Sequence, residues 1–102
     1  MTAIDPAQNE LARAHIWVRG RVQGVGFRAF VAYTAQRLSL RGWVRNVGYD
    51  TVEAVAEGPQ AHIQQFIQAM KTGPRSSYID DSRVEQETHS GEFPDFEIRA
   101  SR

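Results

Sequence analysis

Arg28 follows a loop with three glycines, Gly20-Arg21-Val22-Gln23-Gly24-Val25-Gly26, at the point where the hydrophobic pattern changes from period two to helical period. A helix start carries backbone N–H groups with no internal partner, and the helix dipole adds partial positive charge there. Glycines let the backbone curl closely around a ligand. Residues 22–28 therefore read as an anion cradle with an arginine fork at its rim. The guanidinium matches a tetrahedral phosphoryl group, which it can grip through two parallel hydrogen bonds.

A cation in the first helical turn opposes the dipole, by about 0.3–1 kcal/mol where exposed. A chain shaped for stability alone favours Asp or Glu at that place. The cost makes sense if an anion sits between the guanidinium and the N–H groups. The plain reading, a surface arginine snorkelling at the edge of an apolar stripe, suits an arbitrary arginine better than one placed after a strand and a glycine loop. Asn46 is the second candidate. It ends a strand-like segment, and its amide can both accept from and donate to a water, as aiming a neutral nucleophile requires. Most asparagines at strand ends are turn formers, so Asn46 gains weight only in partnership with the cradle.

Other chemistries fit poorly. Gly24-x-Gly26-x-x-Ala29 satisfies the loose dinucleotide fingerprint. That fold needs a parallel sheet and an acid at the end of its second strand, where this chain has Asn46. Neither G-K-[ST] nor G-x-S-x-G occurs. His15, His62 and His89 show no metal-ligand spacing. RNA recognition on a sheet needs aromatic residues within a recognition motif. Trp17 and Trp43 could share an open face, but no such motif surrounds them.

The elements that must hold these residues follow from periodicity. Residues 14–19 alternate, with Ala14, Ile16 and Val18 on one face and His15, Trp17 and Arg19 on the other, which predicts a strand. Across residues 27–38, Phe27, Phe30, Val31, Thr34, Ala35 and Leu38 fall in one sector about 140° wide on a helical wheel. Residues 41–46 and 51–57 read as strands whose short connection makes a hairpin. Gly58-Pro59 signals a helix start, glycine at the cap and proline in the first turn. Ile63, Phe66, Ile67 and Met70 mark its apolar stripe, and Gly73-Pro74 ends it. Residues 78–87 form a further strand. There Ile79 and Val84 have opposite parity, so a bulge is expected between them. Phe96 and Ile98 share a face of a short last strand. The predicted fold is α+β, a βαββαβ sandwich with two helices on one face of a mainly antiparallel sheet and a short extra C-terminal strand.

Composition agrees with one domain. The chain has 102 residues, 41% of them hydrophobic, enough for a single core. Residues 1–10 read as a flexible tail and 11–102 as the domain. There is no cysteine, which excludes disulfides and thiolate metal sites and fits a reducing, cytoplasmic setting. No apolar run approaches the roughly 20 residues of a membrane span. The formal net charge is zero, yet seven arginines and no acid occur between Leu11 and Asn46. That run suits an anionic ligand, although composition alone slightly favours a solvated basic face.

The first signature of the acylphosphatase family resembles Gly20-Arg21-Val22-Gln23-Gly24-Val25-Gly26-Phe27-Arg28, and the second resembles Gly42-Trp43-Val44-Arg45-Asn46. Val52-Glu53-Ala54-Val55-Ala56-Glu57-Gly58 is similar to the family's third strand and Phe96-Glu97-Ile98-Arg99 to its last. The resemblance spans roughly residues 14–99. It implies a ferredoxin-like α/β sandwich and hydrolysis of acyl phosphates to carboxylate and phosphate. Arg28 and the backbone amides of Gln23, Gly24, Val25, Gly26, Phe27 and Arg28 would bind the phosphoryl group, and Asn46 would orient the attacking water. No metal or other cofactor is implied. The expected partner is a small acyl phosphate, with inorganic phosphate as product and inhibitor. Nucleic acid and membrane are not expected partners, and a monomer is expected. The chain departs from many members at Gly48-Tyr49-Asp50-Thr51, where an Asp-Gly turn is usual, and at its Ala100-Ser101-Arg102 end, where many finish in an aromatic residue. A related domain opens larger carbamoyl-transfer maturation proteins. A non-catalytic anion-binding module on the same fold is the alternative reading.

Overall fold

The computed structural model describes residues 9–102. Most of the expected tail, residues 1–8, lies outside them. Glu10 is tied in, because its carbonyl accepts a hydrogen bond from the Gln60 N–H at 2.9 Å. The elements are β1 (Leu11–Arg21), α1 (Phe27–Arg37), β2 (Arg41–Val47), β3 (Thr51–Pro59), α2 (Gln60–Thr72), β4 (Tyr78–Glu87) and β5 (Phe96–Ile98). They form one sheet in the order β4-β1-β3-β2-β5. Every pairing is antiparallel except β2 with β5, which is parallel. The predicted fold class is therefore the observed one.

Alternation sorts the residues between two faces. Ala14, Ile16 and Val18 of β1, Val44 of β2 and Val52, Ala54 and Ala56 of β3 are buried against both helices. Phe27, Val31 and Ala35 of α1 meet them, as do Ile63, Phe66, Ile67 and Met70 of α2. Phe66 and Phe96 close that layer edge to face at 5.9 Å. Two local expectations shift. β3 runs on to Pro59, which sits just before α2 rather than within its first turn, because Leu11 and Ala12 of β1 still pair with Pro59 and Gly58. The expected bulge in β4 falls at Asp80: Arg19 faces Asp81 while Gly20 faces Ile79, so one extra residue is accommodated between them.

The helix-free face carries charge and aromatic rings. His15 stacks on Trp17 at 3.8 Å and meets Trp43 edge-on at 6.0 Å. Its two ring nitrogens lie 2.6 Å from Glu53 and 2.9 Å from Glu87. The guanidinium of Arg83 covers Trp17 at 4.2 Å, and those of Arg45 and Arg99 lie over Trp43 at 4.7 and 4.9 Å. These tryptophans thus share the open face, where the protein's own arginine and histidine side chains pack on them.

Glu57 is buried on this face. Burial pushes its carboxyl upward, yet the combined hydrogen bonds from the Ser90 and Gly91 N–H groups, the Ser90 hydroxyl and Arg13 hold it below the ordinary value of 4.5. Burial likewise pushes the Glu53 carboxyl up, and Arg45 and His15 together pull it below the ordinary value. A carboxyl lowered in the folded state stabilises the fold above the unfolded value and loses that contribution as pH falls through the folded one. Stability should therefore drop steeply below pH 4.5. Urea midpoints measured from pH 6 to about pH 2 should show a shallower acid slope for Glu57→Gln, which starts from a lower plateau.

Candidate active site

The cradle lies at the junction of β1 and α1. Gly26 precedes the helix at φ 75° and Gly24 bends the loop at φ 72°, left-handed conformations that side-chain-bearing residues adopt only under strain. α1 has no side-chain cap and no acid in its first turn. Its first closed bond runs from the Phe30 N–H to the Gly26 carbonyl at 3.0 Å. Among the described residues, no protein acceptor meets the N–H groups of residues 24–29. A helix start arranged this way offers its donors to an anion.

Arg28 projects from the first turn into a cleft of about 230 Å³. Val22, Gly24, Gly26, Phe27, Ala29, Asn46 and Ile98 line the same cleft. Arg28 and Asn46, 18 positions apart in sequence, are thus brought to one space. The fold divides the arginine run, leaving Arg21, Arg28, Arg37 and Arg41 without an ion pair among the described residues. Arg13 pairs with Glu57, Glu87 and Glu92, Arg19 with Asp81, and Arg45 with Glu53. Arg28 forms no ion pair among the described residues. Its Nη1 donates only to the Arg99 carbonyl, at 3.4 Å, so its charge remains available to a ligand.

Two residues of the expected cradle do other work with their remaining atoms. Gln23 does not line the cleft. Its Nε2 donates to the Thr51 carbonyl at 2.9 Å and the Gly48 carbonyl at 3.2 Å, with the Val47 carbonyl at 3.4 Å. The side chain thereby ties the cradle loop to the β2–β3 turn. Val25 also stays outside the lining, and its carbonyl accepts from Ser76 Oγ at 3.3 Å. Gln23→Ala should remove the tie at a cost of about 1–2 kcal/mol. Thermal melting should report that loss, and the KM for an acyl phosphate should rise several-fold as the loop loosens.

The last residues complete the cleft from a distance in sequence. Beyond β5 the chain stays beside β2: the Arg99 N–H donates to the Val44 carbonyl at 2.8 Å and the Arg102 N–H to the Asn46 carbonyl at 2.9 Å. The Gly48 N–H donates to the Arg102 carbonyl at 3.0 Å. Ile98 and the Arg99 carbonyl are parts of the site with no local sequence signal, since only the parallel β2–β5 pairing brings them there. Among the described residues, no cluster of three His, Asp or Glu side chains could hold a metal ion. No helix among them is long and apolar enough to cross a membrane.

Comparison with known proteins points the same way. The acylphosphatase family model matches residues 14–98. A protein named acylphosphatase from Syntrophotalea carbinolica is 46% identical over 87 residues, covering 85% of this chain and 95% of that protein. The crystal structure of acylphosphatase from Bacillus subtilis superposes with a TM-score of 0.82 at 40% identity, covering 88% of this chain and 99% of that one. Full-length HypF, in a phosphate- and nucleotide-bound form, matches with a TM-score of 0.81 at 35% identity, covering 90% of this chain and 12% of that one. A family model spanning nearly the whole fold and a relative matched along almost its full length leave one assignment: the chain is an enzyme of the acylphosphatase family.

Proposed function

We propose that this acylphosphatase works by in-line attack of water on phosphorus, with Arg28 and the cradle amides holding the phosphoryl group and Asn46 holding the water. The observation that carries this reading is the convergence of an unpaired guanidinium, free helix-start N–H groups and an amide side chain on one small cleft. The transition state spreads charge over the three equatorial phosphoryl oxygens, and fixed donors stabilise it without reorganising. The bond from phosphorus to the acyl oxygen breaks as the bond from phosphorus to water oxygen forms. The electron pair leaves with the carboxylate, which needs no strong general acid. Asn46 is a poor base, so the water proton passes to a phosphoryl oxygen, giving carboxylate and dihydrogen phosphate.

Inorganic phosphate presents the same tetrahedral dianion and should bind as a competitive inhibitor. The enzyme is read as a cytoplasmic monomer; the absence of cysteine and a helix-free face satisfied by its own ion pairs support that placement. Hydrolysis of benzoyl phosphate, with a phosphate monoester as control, tests the function. An anion-binding module without catalysis would bind phosphate and release no benzoate.

A further inference from the structure

We propose that Glu57 is a positioning residue for the active site: it anchors the crossover between β4 and β5, and so fixes where β5 delivers Ile98 and the Arg99 carbonyl to the cleft. The inference rests on the role of Arg28 given above. Glu57 pairs with Arg13 near the start of β1, whereas the cradle follows the end of β1, so the anchor acts from the far end of the sheet. β4 and β5 are its two edges, and residues 88–95 must cross from one to the other. Four strand spacings of about 4.8 Å make a span of about 19 Å. The nine steps from Glu87 to Phe96 can reach about 30 Å. Length alone therefore leaves slack, and something else has to decide where the chain meets β2.

Glu57 takes up that slack. Its side chain is 3% exposed, and both carboxylate oxygens are engaged. Oε2 accepts from the Ser90 N–H and from Ser90 Oγ, each at 2.9 Å, and from Arg13 Nη1 at 3.2 Å. Oε1 accepts from the Gly91 N–H at 2.9 Å and lies 3.6 Å from His89 Nε2. Gly91, at φ 72°, turns the chain so that two successive N–H groups meet one carboxylate. Arg13 adds Glu87, at the end of β4, and Glu92, on the crossover, to the same cluster at 2.8 and 3.0 Å. Arg41 is the partner of Glu57 across the β2–β3 pairing.

From the anchor to the cleft the chain has few freedoms left. Phe93 is buried with Trp43 and Val55, and the Arg13 guanidinium lies over its ring. The Asp95 carbonyl accepts from the Gly42 N–H at 2.9 Å. β5 is only three residues long, with Phe96 beside Gly42 and Ile98 beside Val44. Ile98 then lines the cleft, and the Arg99 carbonyl is the one acceptor that the Arg28 guanidinium has among the described residues. A short edge strand opens locally with ease, so β5 needs its entry fixed. Glutamine at position 57 has the right size, but it turns an NH2 group toward an N–H donor, and the anchor loosens on that side.

The test combines amide hydrogen exchange with kinetics on benzoyl phosphate in the wild type, Glu57→Gln, Ser90→Ala and, as a control, the core variant Ile63→Val. In Glu57→Gln, protection of the Arg99 amide should fall about tenfold relative to amides at the centre of β1. KM and the inhibition constant of inorganic phosphate should rise together by about three- to tenfold, the weight of one hydrogen bond. The bound phosphoryl group then holds Arg28 itself, so kcat should stay within about threefold of wild type. Ser90→Ala, which keeps the buried charge and its bonds to Arg13 and Gly91, should move both readouts the same way by less. Ile63→Val should lower protection evenly across the sheet and leave KM unchanged. Protection lost evenly in Glu57→Gln and Ser90→Ala, an unchanged KM in Glu57→Gln, or an equal rise of KM in Ile63→Val would each overturn the anchor while leaving the mechanism intact. A wild type inert toward benzoyl phosphate would instead remove the mechanism, and the positioning role with it.

Discussion

Arg28→Gln is expected to abolish turnover and phosphate binding together. The guanidinium supplies the one formal positive charge placed by the structure at the cradle rim without an ion-pair partner among the described residues. Arginines that stabilise a transferring phosphoryl group contribute on the order of 10³-fold or more, and kcat/KM on benzoyl phosphate should fall by at least that much. Calorimetric titration with inorganic phosphate should show no saturable binding. The fold should survive. Removing a cation from the first turn of α1 relieves its opposition to the helix dipole, which stabilises by up to about 1 kcal/mol. The variant should therefore melt at or slightly above the wild-type temperature, which separates lost chemistry from lost structure. Near-native turnover in Arg28→Gln would end the assignment.

Asn46→Ala should separate catalysis from binding. Asn46 reaches the cleft from β2, and its backbone is fixed by pairing with Val52 on one side and Arg102 on the other. Truncating the amide leaves those bonds in place and leaves the cradle donors untouched. A group acting on the water rather than on phosphate should change kcat while ground-state binding persists. The expected loss in kcat is about 10²–10³-fold, the range for removing one oriented polar group from a transition state. The phosphate inhibition constant should move by no more than about threefold. A variant that lost phosphate affinity in step with kcat would mark Asn46 as a phosphate ligand, and one that kept its kcat would mark it as a turn residue.

These two expectations differ in how far the chain alone supports them. Arg28 was legible because local features agree: a strand, left-handed glycines and a helix start follow one another within a few residues, and the cation stands against the dipole. The strand faces were legible for the same reason. Ile16 and Trp17 must point oppositely, as must Val44 and Trp43, whatever the strands pair with. The β4 bulge was legible as a parity conflict, although its position at Asp80 depended on where Arg19 and Gly20 lie.

Asn46 was only half legible. Its type and its strand end could be read, but its value depended on β2 lying near the cradle, which is a fact of pairing. The arginine run shows the same boundary. Seven arginines with no intervening acid look alike along the chain, yet Arg13 and Arg45 are neutralised by glutamates from β3 while Arg28 is left free. Gln23 was read only as a donor of its backbone amide. Its side chain proved to be a brace because the carbonyls of Gly48 and Thr51 face it in space.

By itself the sequence determined the order and faces of the elements and the glycine turn that sets Arg28 at a helix start, since each depends on neighbours a few bonds away and on the steric preferences of L-residues and glycine. Only the tertiary structure decided which arginines are ion-paired and how β5 closes the cleft beside β2. Those outcomes depend on contacts between residues as far apart in sequence as Arg13 and Glu92, 79 positions, with Arg28 and Arg99 among them. Burial energy and backbone hydrogen bonding over the whole sheet select that pairing, and no local pattern encodes it.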